Sequence, residues 1–244
     1  MSRPDILPGR PGGILLICDH ASNAIPEGVD LGIDPALLDK HIAIDIGAAP
    51  LTLALGARLE APAILARVSR LVIDLHRQPD HPSLIPGVSD GHIIPGNEGV
   101  DRFDRIARFH APYHRAIASL IRDGRPSLLA SIHSFTPRLE CSGAGERPWQ
   151  AGILSNRDRR AADLAVALLE KAGIVTGDNQ PYSGRILNAT LNRHGEAAGI
   201  PSLAIEIRND LIRDGAGVAR WTDILAPILV EISNILASGL PSAT

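Results

Sequence analysis

Short, almost wholly apolar runs alternate along this chain with longer stretches in which apolar residues recur at helical spacing. Residues 13–18, 63–66, 71–73, 128–132, 151–154 and 202–205 are such runs, the pattern expected of strands buried on both faces. Residues 49–59, 160–172 and 221–236 carry helical periodicity. So does a long segment opened by Asp101, a good N-cap residue, in which Phe103, Ile106, Phe109, Ile117 and Leu120 share one side. Strands alternating with helices predict an α/β fold: three layers, doubly wound, with a mixed, mostly parallel sheet covered on both faces. Pro and Gly are spread along the chain, and neither an internal repeat nor a linker-like tract interrupts it. A single domain over residues 1–244 is therefore expected.

Four of the apolar runs end in residues able to do chemistry. ILLIC leads into Asp19-His20, LVI into Asp74-Leu75-His76-Arg77, ASI into His133-Ser134, and SLAI into Glu206-Ile207-Arg208. Ligands of open α/β sheets sit beyond the carboxyl ends of the strands. If these runs are parallel strands, their polar ends converge on one rim.

Composition narrows the partners. A formal net charge of -3 gives no basic footprint for nucleic acid or an anionic membrane surface. The two cysteines, Cys18 and Cys141, have no CxxC spacing, which argues against a disulfide framework and fits a reducing compartment. The first residues lack the basic start and apolar stretch of a signal peptide, and no uncharged apolar run reaches the roughly 20 residues of a membrane helix. A cytoplasmic protein acting on a small molecule is expected.

The rim residues suggest metal-assisted hydrolysis. Neutral imidazoles at His20 and His133 suit zinc or another divalent cation, and a catalytic zinc commonly has three protein ligands. Asp45, at the start of a predicted helix in HIAIDIGA, is the first choice for the third ligand. Asn23, in HASN, is the second choice, since a neutral amide binds zinc less well. Glu206 is the candidate general base, and Arg70 and Arg77 are candidates to steady an oxyanion or hold a carboxylate. His110 and His114 share a helical face at i, i+4, but Pro112 between them argues against a metal pair. His41, His81 and His92 read as loop residues. HExxH, GxSxG and a Walker-type glycine loop are all absent from the sequence.

At these residues the chain resembles the N-formylglutamate amidohydrolase family. The segments that carry the resemblance are CDHASNAIP, HIAIDIGA, SRLVIDLHRQPD, HAPYHRAI, IHSFTP, GDNQPYSG, LNRHGE and AIEIRNDLI, spread in family order from residue 14 to residue 212. That family is in turn similar in fold to the zinc carboxypeptidases, which implies a zinc-exopeptidase-like (phosphorylase/hydrolase-like) sheet with its metal at strand ends. IHSFTP looks like the carboxypeptidase HSY segment and implies His133 as a ligand, and AIEIRND is similar to ELRD and implies Glu206 as base. VIDLHR is similar to VDANR, whose Asn and Arg hold a terminal carboxylate; Arg77 matches, while His76 replaces the Asn. Asn23 stands where the carboxypeptidase pattern has Glu, so the third ligand does not carry over. Tyr182 and His194 lie in segments resembling the family and are expected to line the substrate pocket.

The resemblance implies a zinc-dependent hydrolase that splits N-formyl-L-glutamate, or a related N-acyl amino acid, into formate or another acid and the free amino acid, as in histidine degradation. Two other readings use the same scaffold: a hydrolase of a different N-acyl or peptide-like amide, and a non-catalytic protein that binds a metal or a small acid.

Overall fold

The computed structural model describes residues 3–141 and 145–238. Its strands are β1 (Asp5–Leu7), β2 (Ile14–Cys18), β3 (Ala63–Leu65), β4 (Val88–Ser89), β5 (His92–Ile93), β6 (Leu128–Phe135), β7 (Ala151–Leu154), β8 (Thr176–Asp178) and β9 (Ser202–Arg208). Its helices are α1 (Ala48–Leu59), α2 (Arg102–Arg105), α3 (Ala111–Gly124), α4 (Arg160–Lys171), α5 (Ala189–His194) and α6 (Gly215–Ser238). Seven strands form the main sheet in the order β1-β3-β2-β6-β9-β7-β8, and β4 and β5 form a separate hairpin. Strands β3, β2, β6 and β9 run parallel, while β1 and β7 meet their neighbours β3 and β9 antiparallel. The mixed, mostly parallel α/β sheet is therefore as the chain's periodicity predicts.

Both faces of the central strands are buried, which explains their unbroken apolar runs. On one face Leu16, Ala130, Ile132, Leu203 and Ile205 pack beneath α1, α4 and α6. On the other, Leu15, Ile17, Leu129 and Ala204 pack with Phe109, Tyr113 and Ile117 of the α3 region and with residues 71–75. Helix α6 is long and apolar, and it lays Trp221, Leu225, Leu229 and Ile232 into the first of these cores.

Residues 71–73 are not a strand, contrary to the expectation from their apolar run. Val72 and Ile73 donate to the carbonyl of Ser69, and Asp74 donates to Leu84. Turn bonds satisfy this backbone while the side chains fill the second core, and a three-residue apolar run cannot distinguish that state from a strand.

The segment opened by Asp101 also departs from a regular helix. Asp101 caps it as expected, accepting from the amides of Phe103 and Asp104. Residues Ile106–His110 then form a π turn, with the Ala111 amide reaching the Ile106 carbonyl. This wide turn precedes Pro112, whose missing N–H removes one ordinary helical bond. The extra residue rotates the apolar stripe by about one helical step. Phe109 and Ile117 are consequently buried, whereas Phe103 is 81% exposed.

Candidate metal centre and active-site cleft

The site is assembled at the carboxyl ends of β2, β6 and β9. Cys18 ends β2, and Asp19 and His20 follow directly. On β6 and β9, His133 and Glu206 are register partners and so project from the same face of the sheet. Asp45 comes from the loop before α1, where its amide donates to the carbonyl of His20. That loop turns into α1 at Gly47, whose φ is 81° and where a Cβ would collide with the carbonyl oxygen of Ile212. The turns at 69–77 bring Arg70, Asp74, His76 and Arg77 to the same rim, although no strand delivers them.

Two imidazoles face one carboxylate oxygen. His20 Nδ1 lies 3.2 Å, and His133 Nδ1 2.8 Å, from Asp45 Oδ2. The three candidate ligand atoms all lie within 4.8 Å of one another. The opposite ring nitrogens are also held: His20 Nε2 is 2.8 Å from Asp74 Oδ1, and His133 Nε2 is 2.9 Å from Ser131 Oγ and 3.4 Å from Asp19 Oδ2. Arg70 bridges the two outer acids, donating to Asp45 Oδ1 at 3.0 Å and to Asp74 Oδ2 at 2.9 Å. Asp19 and His76 form a neighbouring pair at 3.0 Å, with Thr190 donating to Asp19 Oδ1 at 3.0 Å.

Electrostatics follow from this crowding. Burial opposes ionisation of Asp45, but the charge of His20 and the hydrogen bonds from both histidines outweigh it and hold its pKa well below the usual carboxylate range. Burial likewise opposes a charge on His133, yet its bonds to Asp19 and Asp45 raise its pKa to about 10. For His20, burial and Arg70 lower the pKa while Asp74 and Asp45 raise it, and the carboxylates prevail. Glu206 is the exception among the acids. Burial, reinforced by Asp45, pushes its pKa up, and its Oε2 is buried with no hydrogen-bond partner among the described residues.

His20 presents its two ring nitrogens to carboxylates on both sides, whereas His133 faces Asp45 on one side and the Ser131 hydroxyl on the other. A neutral imidazole has one N–H, so a second proton or a cation must lie at one of the two carboxylate contacts of His20. Two nitrogens and a carboxylate oxygen form a donor set suited to zinc, and the outer partners Asp74, Ser131 and Asp19 would orient the rings. The residues present fit a divalent cation.

His20, Asp45, Arg70, His76, Arg77, His133, Tyr182 and Glu206 all line one cleft of about 290 Å³. Among the described residues Arg77 Nε is buried without a partner, Nη1 donates to the His76 carbonyl at 3.2 Å, and the nearest carboxylate oxygen, Asp74 Oδ2, is 3.7 Å away. Tyr182 accepts a hydrogen bond from Arg147 at 3.1 Å. Two expected residues do not join the cleft. The Asn23 amide donates to the Leu38 carbonyl at 3.0 Å, which turns this second-choice ligand toward the preceding loop. His194 is buried against His114, with a ring-nitrogen distance of 2.9 Å, and does not line the cleft.

Sequence reasoning missed Asp74, Asp19, Ser131 and Thr190 as partners of the histidines, because a run's end reveals a donor and not its mate. His41, expected in a loop, does lie in a turn, and it also lines the cleft and pairs with Asp90 at 3.0 Å. The DG pair at 90–91, a hairpin-turn signal, was the one available clue to that wall.

Comparison with known proteins supplies a family. The family described as N-formylglutamate amidohydrolase matches residues 12–213. The crystal structure of gene product Atu2144 from Agrobacterium tumefaciens is similar, with 32% identity, TM-score 0.90 and 97% of each chain covered. The crystal structure of N-formylglutamate amidohydrolase from Ralstonia eutropha JMP134 shares the fold at 20% identity and TM-score 0.72, covering 98% of this chain and 100% of its own. No curated protein matches the chain.

Proposed function

The chain belongs to the N-formylglutamate amidohydrolase family, and on that premise we propose that it is a divalent-metal-dependent hydrolase of N-acyl amino acids, N-formyl-L-glutamate or a close relative. His20, His133 and Asp45 would hold the cation, zinc being the best match to two imidazoles and a carboxylate. When bound, a divalent cation supplies Lewis acidity that draws electron density from an amide carbonyl and acidifies water.

Glu206 acts as the general base. Burial raises its pKa toward the operating range of such a base. Oε2, which has no partner, is available to take a proton from attacking water and return it to the departing nitrogen. The amide C–N bond breaks as the new C–O bond forms, releasing the acid and the free amine. Arg77 anchors the substrate's α-carboxylate through guanidinium donors that no carboxylate already engages at hydrogen-bond distance. Arg70 fixes Asp45 and Asp74, and thereby the two histidines, in place. Tyr182 and His76 complete the wall beside the substrate.

The observation that carries this reading is the convergence of two histidine Nδ1 atoms on Asp45 Oδ2, in a cleft also lined by an unpartnered buried glutamate oxygen. The test is release of formate from N-formyl amino acids before and after exhaustive chelation. Activity should disappear with the metal and return with one equivalent of zinc. Turnover that survives complete metal removal would overturn the reading.

A further inference from the structure

The cleft extends beyond the ligand cluster, and its remaining walls are mixed, with Ser89, Ser134 and Thr136 standing beside apolar residues. Ile42, Phe135, Leu139, Leu154 and Leu187 line it. Its lining arginines are Arg70 and Arg77. Arg70 already bridges Asp45 and Asp74, so Arg77 is the lining guanidinium left to meet a substrate anion. One guanidinium matches one carboxylate, and an N-acyl amino acid always brings its α-carboxylate. N-formylglutamate brings a second.

The wall formed by the β4–β5 hairpin adds an anion. Its two-residue turn is Asp90-Gly91, with φ of 42° and 81°. Asp90 accepts from the amides of Glu140 at 2.8 Å and Cys141 at 3.1 Å, and it faces His41 Nε2 at 3.0 Å. A Cβ at Gly91 would collide with the Cys141 side chain, so the hairpin is seated closely on that loop. Burial opposes the Asp90 charge, but the two amides outweigh it and its pKa is lowered. Burial lowers the pKa of His41, so that ring does not cancel the charge at neutral pH. Asp90 and His41 both line the cleft.

We propose that the side-chain subsite of this cleft takes a neutral side chain and disfavours an acidic one, so that N-acyl derivatives of neutral amino acids are better substrates than N-formylglutamate. The inference rests on the hydrolase reading above. Leu139 and Leu187 offer a neutral chain some apolar contact. A side-chain carboxylate would meet Asp90 with no unengaged lining cation, and juxtaposed like charges are a strong device of discrimination.

The test uses the zinc-loaded protein with N-formyl-L-leucine, N-formyl-L-glutamine and N-formyl-L-glutamate. Glutamine and glutamate have nearly one shape and differ in charge. We expect kcat/KM for leucine and for glutamine to exceed that for glutamate, glutamine by about tenfold or more. Leu139→Arg, which sets a cation in the wall, should narrow that ratio and lower the leucine rate. Glutamate hydrolysed as well as or better than the other two overturns the proposal while leaving the hydrolase reading intact. Absence of turnover on all three defeats the hydrolase reading, and the preference is then read from calorimetric binding to the same protein. Tighter binding of the leucine and glutamine compounds supports it. Equal affinities, tighter glutamate or no binding at all overturn it.

Discussion

His20 and His133 are buried among the carboxylates of Asp19, Asp45 and Asp74, whereas His110, His114 and His194 are buried among backbone carbonyls and one another. Both groups are equally inaccessible, each ring being 7% exposed or less. Their surroundings therefore decide what they can do. In the second group His114 Nε2 donates to the Leu75 carbonyl at 3.0 Å, and His110 Nε2 to the Arg77 carbonyl at 3.0 Å. His114 Nδ1 is then left to accept from His194 Nε2. Neutral rings satisfy every contact in that chain, and burial lowers the pKa of His114 to about 3 and of His194 to about 4. Around His20 a neutral ring leaves a lone pair facing a carboxylate, and a cation resolves the conflict. One histidine group clamps the 75–77 turns; the other is built for a positive charge.

The largest expected break between the groups is catalytic. Glu206→Gln should lower kcat by about 10²–10⁴-fold while bound metal stays at one equivalent, because only proton transfer is removed. Steady-state kinetics with metal analysis on the same sample checks it. Next, Asp74→Asn removes the carboxylate behind His20 Nε2 and should weaken metal affinity about 10–100-fold in a competition titration. His114→Leu, in the other group, should leave that affinity nearly unchanged. It strands the Leu75 carbonyl and should cost about 1–3 kcal/mol in denaturant unfolding. If His114→Leu abolishes metal binding and Asp74→Asn does not, the division between the groups is wrong.

The smallest effect is the pH dependence of stability in protein stripped of metal. His133 has a folded pKa of about 10 against 6.5 for the free side chain. Its contribution is thus complete below pH 6.5 and is lost as pH rises toward 10. His114 and His194 have depressed values of about 3 and 4, so their contribution is present above pH 6.5 and erodes as pH falls toward those values. Melting curves should therefore fall on both sides of neutrality, with the acid loss reduced in His114→Leu. Zinc should raise the melting temperature more at pH 8 than at pH 6, since it displaces protons from His20 and His133. Equal zinc stabilisation at both values would show that no protons leave.

Much of the scaffold was legible from apolar runs, because strands buried on both faces tolerate few polar residues. The structure places β7 at the predicted residues 151–154, and β2, β3, β6 and β9 begin within a residue of their predicted starts. Residues 71–73 were misread because three buried apolar residues satisfy a turn as readily as a strand. Asp45 was singled out through its place before α1, and the structure brings it between His20 and His133. Asn23, offered by its spacing from His20, and His194, offered by segment resemblance, lie outside the cleft lining, because spacing and resemblance give a neighbourhood but not the direction of a side chain. The i, i+4 spacing of His110 and His114 does bring their rings within 4.1 Å, yet spacing says nothing of the carbonyls they face. Partner identity is long-range information, as with His20 and Asp74, 54 positions apart.

X-ray absorption at the zinc edge, on protein loaded with one equivalent of zinc, tests the arrangement most directly when run on the parent and on His133→Ala and His114→Leu. The account predicts two imidazole nitrogens with oxygen ligands at about 2.0–2.1 Å in the parent, one imidazole fewer in His133→Ala, and an unaltered spectrum in His114→Leu. A spectrum that changes with His114 and not with His133 would contradict it.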